Sequence, residues 1–197
     1  MRTLVVHCHP DPQSFNAALF RAACAAVQKA GHELRSIDLY AEGFNPVLDL
    51  EERRAYLGDT GLIVGRVQAH VDALRWAEHL VFVYPTWFYG PPAMLKGWLE
   101  RVWLPGVAFQ PPKAKGRMAE PGLQHVRRMT VVTHGGSPWW WLKVMGDPGR
   151  RLFTRGLRAL FAQDCRTVWL QLHNMNNVTR PECEAFLAKV SRVLGRM

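Results

Sequence analysis

Cysteine is scarce in this sequence of 197 residues, and its four copies are scattered. They stand at positions 8, 24, 165 and 183, so they form neither a Cys-x-x-Cys pair nor the dense framework of a small secreted domain. Disulfide-stabilised secreted scaffolds are therefore excluded. We expect a reducing, cytoplasmic setting.

Long apolar runs and internal repeats are also missing. No stretch approaches the roughly 18 uninterrupted apolar residues of a membrane span, and the run before His7 is too short for a signal peptide. The composition is 48% hydrophobic and 21% charged, which is ordinary for a globular protein and unlike a disordered chain. We expect a soluble protein without membrane insertion, built as a single domain over residues 1–197.

The charge is unbalanced, with 25 Lys and Arg against 16 Asp and Glu, a net charge of +9. Such an excess favours an anionic partner, which could be nucleic acid, a membrane surface or a phosphorylated small molecule. Arg151, Arg155 and Arg158 have the spacing of a solvated helix face, and no nucleic-acid motif accompanies them or the basic segment from Lys113 to Arg128. We therefore expect no nucleic-acid partner.

Short apolar segments alternate with helical patterns along the chain. Strands are predicted at residues 3–6, 33–39, 80–84, 129–133 and 167–172. Helices are predicted after Ser14, near Pro91, after Pro148, and behind the capping box that begins at Thr179. This order predicts an α/β fold, a doubly wound five-stranded parallel sheet with helices on both faces. Ligands of such sheets bind beyond the carboxyl ends of the strands, so the loops after strands one, three and four should carry the function.

The first of these loops has the features of a phosphate-binding helix start. Ser14 can cap a helix whose first amides, from Phe15, Asn16 and Ala17, would face an anion, although a plain helix cap is an equal alternative. GxxxxGK[ST] and GxGxxG are both missing, which argues against nucleoside triphosphate hydrolysis and Rossmann-type dinucleotide binding. His7, Cys8 and His9 lack a second ligand pair, so we expect no metal site.

The other two loops are aromatic and glycine-rich. Trp87, Phe88 and Tyr89 follow the central strand, where they can either cover the core or form a flat wall for a planar ring; we favour the wall. The later loop has the pair Gly135 and Gly136, which lets the backbone approach a ligand, followed by three tryptophans. Together the three loops predict a pocket with a phosphate end and a broad aromatic end, the shape of a flavin nucleotide.

Four segments carry a resemblance to a known family. They are HPDPQSFNAAL at 9–19, DLYAEGFNPV at 38–47, YPTWFYGPPAMLKGWLERV at 84–102 and THGG at 133–136. In order and spacing they resemble the flavodoxin-like NAD(P)H:quinone oxidoreductases, a group that includes ancillary proteins of bacterial potassium-efflux systems. The resemblance implies a flavodoxin-like fold and a ping-pong cycle, in which NAD(P)H reduces the flavin, leaves, and is replaced by a quinone-like acceptor.

The resemblance also assigns residues to the flavin. Those implied to bind the cofactor are His9, Ser14, Phe15, Asn16, Ala17, Pro85, Thr86, Trp87, Phe88, Thr133, Gly135 and Gly136. Those implied to contact the substrate are Tyr89, Phe109, Trp140 and Trp141. The Tyr and His that assist charge transfer in mammalian members have no counterpart in SPWWWLKVMGD at 137–147, so no catalytic residue is assigned.

Cofactor type and assembly follow from the same resemblance. Either FMN or FAD fits, and the shortened stretch at 51–68 favours FMN slightly, because longer members hold the adenine end of FAD there. The family's active site lies at a homodimer interface, for which Trp98, Trp103 and Phe109 are candidate contacts. An alternative function is a flavin- or nucleotide-sensing ancillary subunit that contacts a membrane transporter peripherally.

Overall fold

Five parallel strands form the main sheet of the computed structural model, which describes residues 1–112 and 114–196. Their order is β2-β1-β3-β6-β7, with β3 at the centre. The strands are β1 (Arg2–His7), β2 (Glu33–Asp38), β3 (His79–Pro85), β6 (Arg128–His134) and β7 (Arg166–Leu172). Every residue of β3 is buried, as expected for a central parallel strand. The order matches the doubly wound pattern and confirms the predicted fold class.

Eight α-helices connect and cover these strands. They are α1 (Phe15–Lys29), α2 (Leu50–Ala55), α3 (Gly61–Arg66), α4 (Gln68–Trp76), α5 (Ala93–Val102), α6 (Trp139–Val144), α7 (Pro148–Arg151) and α8 (Arg180–Leu194), counted over the described part of the chain. A short antiparallel pair, β4 (Phe109–Gln110) and β5 (Glu120–Pro121), lies within the 105–128 excursion. Lys113 of that excursion is outside the described residues. Among the described residues, no helix has both the length and the apolar character needed to cross a membrane.

Alternate residues of the strands face two separate cores. Val5, Val83 and Val132 point to one face, where α1 and α8 cover them. Leu4, Phe82 and their neighbours point to the other, where they meet α4, α5 and the segment after α7. Helices on both faces explain why residues 80–84 of the central strand are apolar without interruption.

The helix starts follow the predicted caps. The Ser14 hydroxyl accepts a hydrogen bond from the Ala17 amide at 3.1 Å, which fixes the start of α1. At α8, the Glu182 carboxylate accepts from the Thr179 amide at 2.8 Å and from its hydroxyl at 2.7 Å. Both caps place the start of a helix at the predicted residue.

The helix predicted after Pro148 is interrupted. Four α-helical residues are followed by a π-helix at Leu152–Gly156 and a 3-10 turn at Leu157–Leu160. Inside this stretch the Thr154 hydroxyl donates to the Arg150 carbonyl at 2.8 Å, a bond that competes with regular helix geometry. The predicted apolar face is still buried, since Phe153 and Phe161 are 0% and 3% exposed.

The dimer contacts predicted for Trp98 and Trp103 are wrong. Both rings are buried, at 0% and 4% exposure, and they pack against Phe82 of β3 with ring centroids 6.3 Å and 6.5 Å away. The helical stripe that carries them faces the sheet because that is where it removes most apolar area from water. Phe109 is half-buried and contacts the same core.

Candidate ligand site at the carboxyl edge of the sheet

A cavity of about 580 Å³ opens beyond the carboxyl ends of β3, β6 and β7. The loops after β3 and β6 form its two sides, and residues at and beyond the end of β7 complete it. Its lining residues are Thr86, Trp87, Phe88, Tyr89, Gly135, Gly136, Ser137, Pro138, Leu142, Gln171 and Asn176. The structure therefore brings together the second and third loops of the sequence prediction.

The first loop lies beside this cavity and does not line it. The His9 ring is 6.0 Å from that of Trp87, centroid to centroid, and the Phe15 ring is 5.6 Å from that of His134. Ser14 donates to the Asp11 carbonyl at 2.7 Å while it caps α1, so the loop is folded onto the helix start. The first helical amides, Phe15 and Asn16 among them, have no intrahelical acceptor, which suits an anion.

Asn16 is fully buried in the first turn of α1. Neither its side-chain oxygen nor its side-chain nitrogen has a hydrogen-bond partner among the described residues, although the side chain does interact with the His7 ring. Leaving a buried amide unpaired is costly, so such a group usually awaits a ligand or water. Asn16 is thus the strongest polar indication of a ligand next to the cavity.

His7 and Cys8 are both buried in the fold. The His7 ring stacks on Phe20, and its Nδ1 lies 2.9 Å from the Asp38 carboxylate. Burial lowers the pKa of His7 in spite of the opposing effect of Asp38, and burial raises the pKa of Cys8 to about 12. Within residues 1–112 and 114–196, no three His, Cys, Asp or Glu side chains are grouped to hold a metal ion.

The aromatic loop is a tight and strained turn. Trp87 and Gly90 exchange two backbone hydrogen bonds of 3.0 Å, so Phe88 and Tyr89 occupy the two turn positions. Both have positive φ, 47° and 66°, a conformation that favours Asn and Gly. Phe88 is 98% exposed and Trp87 is 44% exposed, so these rings do not cover the core. This supports the interpretation that they form a flat wall for a planar ring.

The glycine loop approaches this turn closely. A Cβ on Gly135 would stand 3.3 Å from the Thr86 side chain, and one on Gly136 would stand 3.2 Å from the Asn176 amide. The Thr86 amide donates to the His134 carbonyl at 2.7 Å, and the hydroxyls of Thr86 and Thr133 are 2.8 Å apart. These bonds hold the two sides of the cavity at a fixed separation.

The remaining predicted residues divide between the cavity and its surroundings. Trp141 reaches the cavity rim, where its Nε1 donates to the Tyr89 hydroxyl at 3.0 Å. Trp140 packs on Trp141 with centroids 5.8 Å apart and is 53% exposed. Pro85 ends β3 opposite His134, and Phe109 does not line the cavity of its own chain.

Sequence reasoning missed the contribution of the fifth strand. Gln171 and Asn176 line the cavity from the end of β7 and the turn beyond it, and Leu142 and Ser137 were not singled out either. A signal for these residues was present in the sequence: the polar run HNMNN at 173–177 comes directly after a parallel strand, where ligand contacts are expected.

His134, at the end of β6 next to the glycine loop, is electrically neutral at physiological pH. Burial, with a smaller contribution from the charge of His9, lowers the pKa of His134 to about 4. His134 Nε2 is buried without a hydrogen-bond partner among the described residues. The ring therefore offers a neutral polar edge next to Phe15 instead of a cation.

The strand order and the position of the cavity define a class of protein. This is a doubly wound α/β protein with a crevice at the carboxyl edge of its sheet, on the β3 side of the point between β1 and β3 where the strand order reverses. The chain belongs to the family described as having a flavodoxin-like fold, which matches residues 1–189.

Individual relatives agree with this assignment. The chain is 32% identical over 155 residues to a ribosyldihydronicotinamide dehydrogenase-like protein of Penicillium crustosum, covering 69% of this chain and 58% of that protein. It is 32% identical over 154 residues to NAD(P)H dehydrogenase [quinone] 1 of Rattus norvegicus, covering 69% and 54%. The chain thus spans little more than half the length of these relatives.

Among solved structures, Smu.1420 of Streptococcus mutans matches with a TM-score of 0.87 and 28% identity over 100% of both chains. The NAD(P)H:quinone oxidoreductase of Methanothermobacter marburgensis matches with a TM-score of 0.81 and 22% identity, covering 99% and 96%, which shows a common fold. These similarities confirm the family resemblance predicted from the four segments.

Proposed function

We propose that this protein is a flavin-dependent NAD(P)H oxidoreductase that reduces quinone-like acceptors. The observation that carries the proposal is the cavity between the exposed aromatic turn at 87–90 and the Gly135–Gly136 loop, with the start of α1 beside it. The names of the sequence relatives, which are NAD(P)H and ribosyldihydronicotinamide dehydrogenases, support this activity.

The residues present fit a flavin. Ser14, Phe15, Asn16 and Ala17 would hold the phosphate end, and the unpaired amide of Asn16 would gain the hydrogen bonds that it lacks in the chain alone. Thr86, Trp87, Phe88 and the two glycines would enclose the ring system, where the lack of a Cβ allows the backbone to approach. His9 and Pro85 would complete the contact, and Thr133 would act through Thr86.

A bound flavin would supply the redox chemistry, the transfer of hydride between NAD(P)H and the acceptor. The chain's own residues bind and orient. The aromatic turn presents a flat surface on which nicotinamide and acceptor can lie in turn, so that one cavity serves both in a ping-pong cycle. Tyr89, Trp140 and Trp141 are the proposed substrate contacts on that surface, and Phe109 is proposed to reach the site of a second copy.

We favour FMN over FAD. The 51–68 stretch, short in comparison with longer family members, is taken up by α2 and α3, and it is fixed to α5 by the buried ion pair of Glu52 and Arg101. Because this segment is packed against the core, it is not free to bind the adenine group of FAD. We also propose that the chain acts as one domain, resides in the cytoplasm and forms a homodimer, which light scattering would show as about twice 22.4 kDa.

The test begins with colour. Purified protein is expected to carry a flavin absorbance band that bleaches when NADPH or NADH is added without oxygen, and heat release followed by mass measurement would identify FMN or FAD. Colourless protein that binds neither flavin at micromolar concentration would contradict the proposal. Flavin binding with negligible turnover on a panel of quinones would instead favour the ancillary sensing subunit.

A further inference from the structure

The turn at 87–90 is built at a conformational cost. A two-residue turn with positive φ at both positions normally uses Asn or Gly, and here it uses Phe88 and Tyr89. Strained positions of this kind persist only where the surroundings hold them, and they concentrate at functional sites.

Two contacts hold Tyr89 in this conformation. The Trp141 indole, on α6, donates from Nε1 to the Tyr89 hydroxyl oxygen at 3.0 Å. On the other side, Gly149 of α7 lies so close that a Cβ there would stand 2.6 Å from the Tyr89 carbonyl oxygen. The side chain and backbone of Tyr89 are therefore fixed from two different helices.

The direction of the Trp141–Tyr89 hydrogen bond is unambiguous. An indole N–H can only donate, so the phenolic oxygen must accept, and its own proton is left for another acceptor. No acceptor for that proton is found among residues 1–112 and 114–196. Tyr89 lines the cavity, half-buried, so a molecule in the cavity can supply the acceptor.

We propose that Tyr89 donates a hydrogen bond from its hydroxyl group to a carbonyl oxygen of the electron acceptor, and that Trp141 is the positioning residue that holds this hydroxyl in place. The proposal rests on the proposed function. The acceptor's oxygen gains negative charge as it is reduced, and a fixed donor stabilises that charge more than it stabilises the starting carbonyl. Tyr89 keeps its proton as a hydrogen-bond donor throughout. The transferred hydride brings two electrons and one hydrogen to the acceptor, and solvent supplies the single proton that completes the hydroquinone.

The experiment compares holoprotein variants that each lose one polar atom and keep an aromatic ring. They are Tyr89→Phe, Trp141→Phe and the double variant, with Trp139→Phe as the matched control, because Trp139 is exposed and contacts Lys143 instead of Tyr89. Each is assayed with 1,4-benzoquinone and with ferricyanide, a one-electron acceptor that has no carbonyl group.

We expect Tyr89→Phe to lower kcat/KM for benzoquinone about tenfold, the effect of one hydrogen bond, and to lower ferricyanide reduction much less, so that the ratio of benzoquinone to ferricyanide activity falls. Trp141→Phe should reproduce most of the benzoquinone loss and add little to Tyr89→Phe, since the two residues act through one bond. The control should match the wild type. Equal losses with both acceptors would show a merely structural role and overturn the proposal.

A second readout does not use activity. The indole N–H resonance of Trp141 in a proton–nitrogen NMR spectrum should move upfield in Tyr89→Phe, and that of Trp139 should not. An unmoved Trp141 resonance would show that the bond is absent in solution. If the wild type binds flavin and oxidises NAD(P)H while Tyr89→Phe retains its benzoquinone rate, the proposed function stands and this inference fails; if the wild type binds no flavin, both fail.

Discussion

Asn16 illustrates how one buried side chain can indicate a ligand. Its amide is removed from water without a hydrogen-bond partner in the described chain, so it lowers the stability of the protein without ligand. We predict that Asn16→Ala leaves the thermal midpoint of the flavin-free protein unchanged or higher. We also predict that it weakens FMN binding at least fivefold, about 1 kcal/mol, because the ligand loses a partner.

Flavin fluorescence quenching measures the affinity, and thermal unfolding with and without FMN measures the stability. A suitable control is Asn177→Ala, because Asn177 bonds to Asn174 on the surface and does not line the cavity. If Asn16→Ala binds FMN as tightly as the wild type and its flavin-free form is less stable, Asn16 stabilises the fold and does not bind the flavin.

Gly149 tests whether the aromatic turn must be held in place. An added methyl group would collide with the Tyr89 carbonyl at 2.6 Å and with the Gly90 Cα at 3.3 Å, both of which are backbone atoms with little room to move. Gly149→Ala should therefore cost about 1–3 kcal/mol of unfolding free energy through overpacking, and it should weaken FMN binding as the turn shifts.

Gly156→Ala is the matched control for this change. The new Cβ would meet only Leu152 at 3.7 Å, an ordinary contact, so stability should hold or rise slightly. Urea unfolding of both variants distinguishes the outcomes. Equal stability and equal FMN affinity in the two proteins would show that the turn can shift without consequence.

At the scale of elements, the cap of α1 allows its structural role to be separated from the ligand-binding role that we propose for the start of this helix. Ser14→Ala removes the acceptor for the Ala17 amide and should cost about 1 kcal/mol of unfolding free energy. Thr179→Ala at α8 should cost a comparable amount, because it removes the hydroxyl bond to Glu182. Only the Ser14 variant should also weaken FMN binding, since Thr179 is not among the residues that we propose to bind the flavin. Equal FMN affinities, measured by fluorescence titration, would separate the α1 cap from the site.

The strands were predictable from sequence for a physical reason. A strand buried on both faces is expected to be apolar throughout, and residues 80–84 have this pattern over their whole length, while 129–133 interrupt it only with two threonines. The three helices between β2 and β3 were not assigned. Two of them, α2 and α3, have six residues each, too few turns for a periodic pattern, and α4 has nine. α2 is fixed by Glu52, whose carboxylate pairs with Arg101 of a distant helix, a contact that no local pattern reveals.

The candidate site was predictable to the level of loops and not of geometry. Fold topology alone brings the loops after β3 and β6 to one edge, which is why Trp87, Phe88 and Gly136 were named together and lie together. The left-handed conformation of Phe88 and Tyr89 was not predictable, because neither residue type favours it. The burial of Trp98 and Trp103 was also missed, since a helical stripe is equally apolar whether it faces a core or a partner.

At the scale of the whole molecule, buried neutral histidines make stability depend on pH. Burial lowers the pKa of His79 to about 3 and that of His134 to about 4, against an ordinary value of 6.5. Between the lowered pKa values and the ordinary one, these two histidines bind protons in the unfolded chain and not in the folded chain. The free energy of unfolding therefore falls as the pH falls below about 6.5. Above that pH both histidines are neutral in the folded and the unfolded chain, so they no longer make the free energy of unfolding depend on pH.

His134→Gln isolates one of these contributions. At about 1.4 kcal/mol per pKa unit, His134 alone accounts for at most about 2 kcal/mol of the stability lost between pH 7 and pH 5. The variant should therefore show a smaller difference between urea midpoints measured at these two pH values. This window lies above the pH range in which paired carboxylates such as Glu78 and Glu182 begin to protonate, since their pKa values are lowered by hydrogen bonds, chiefly from backbone amides. If the variant and the wild type show the same change in urea midpoint between these pH values, the His134 ring takes up protons in the folded protein as readily as in the unfolded chain. The pKa of His134 is then not lowered by folding.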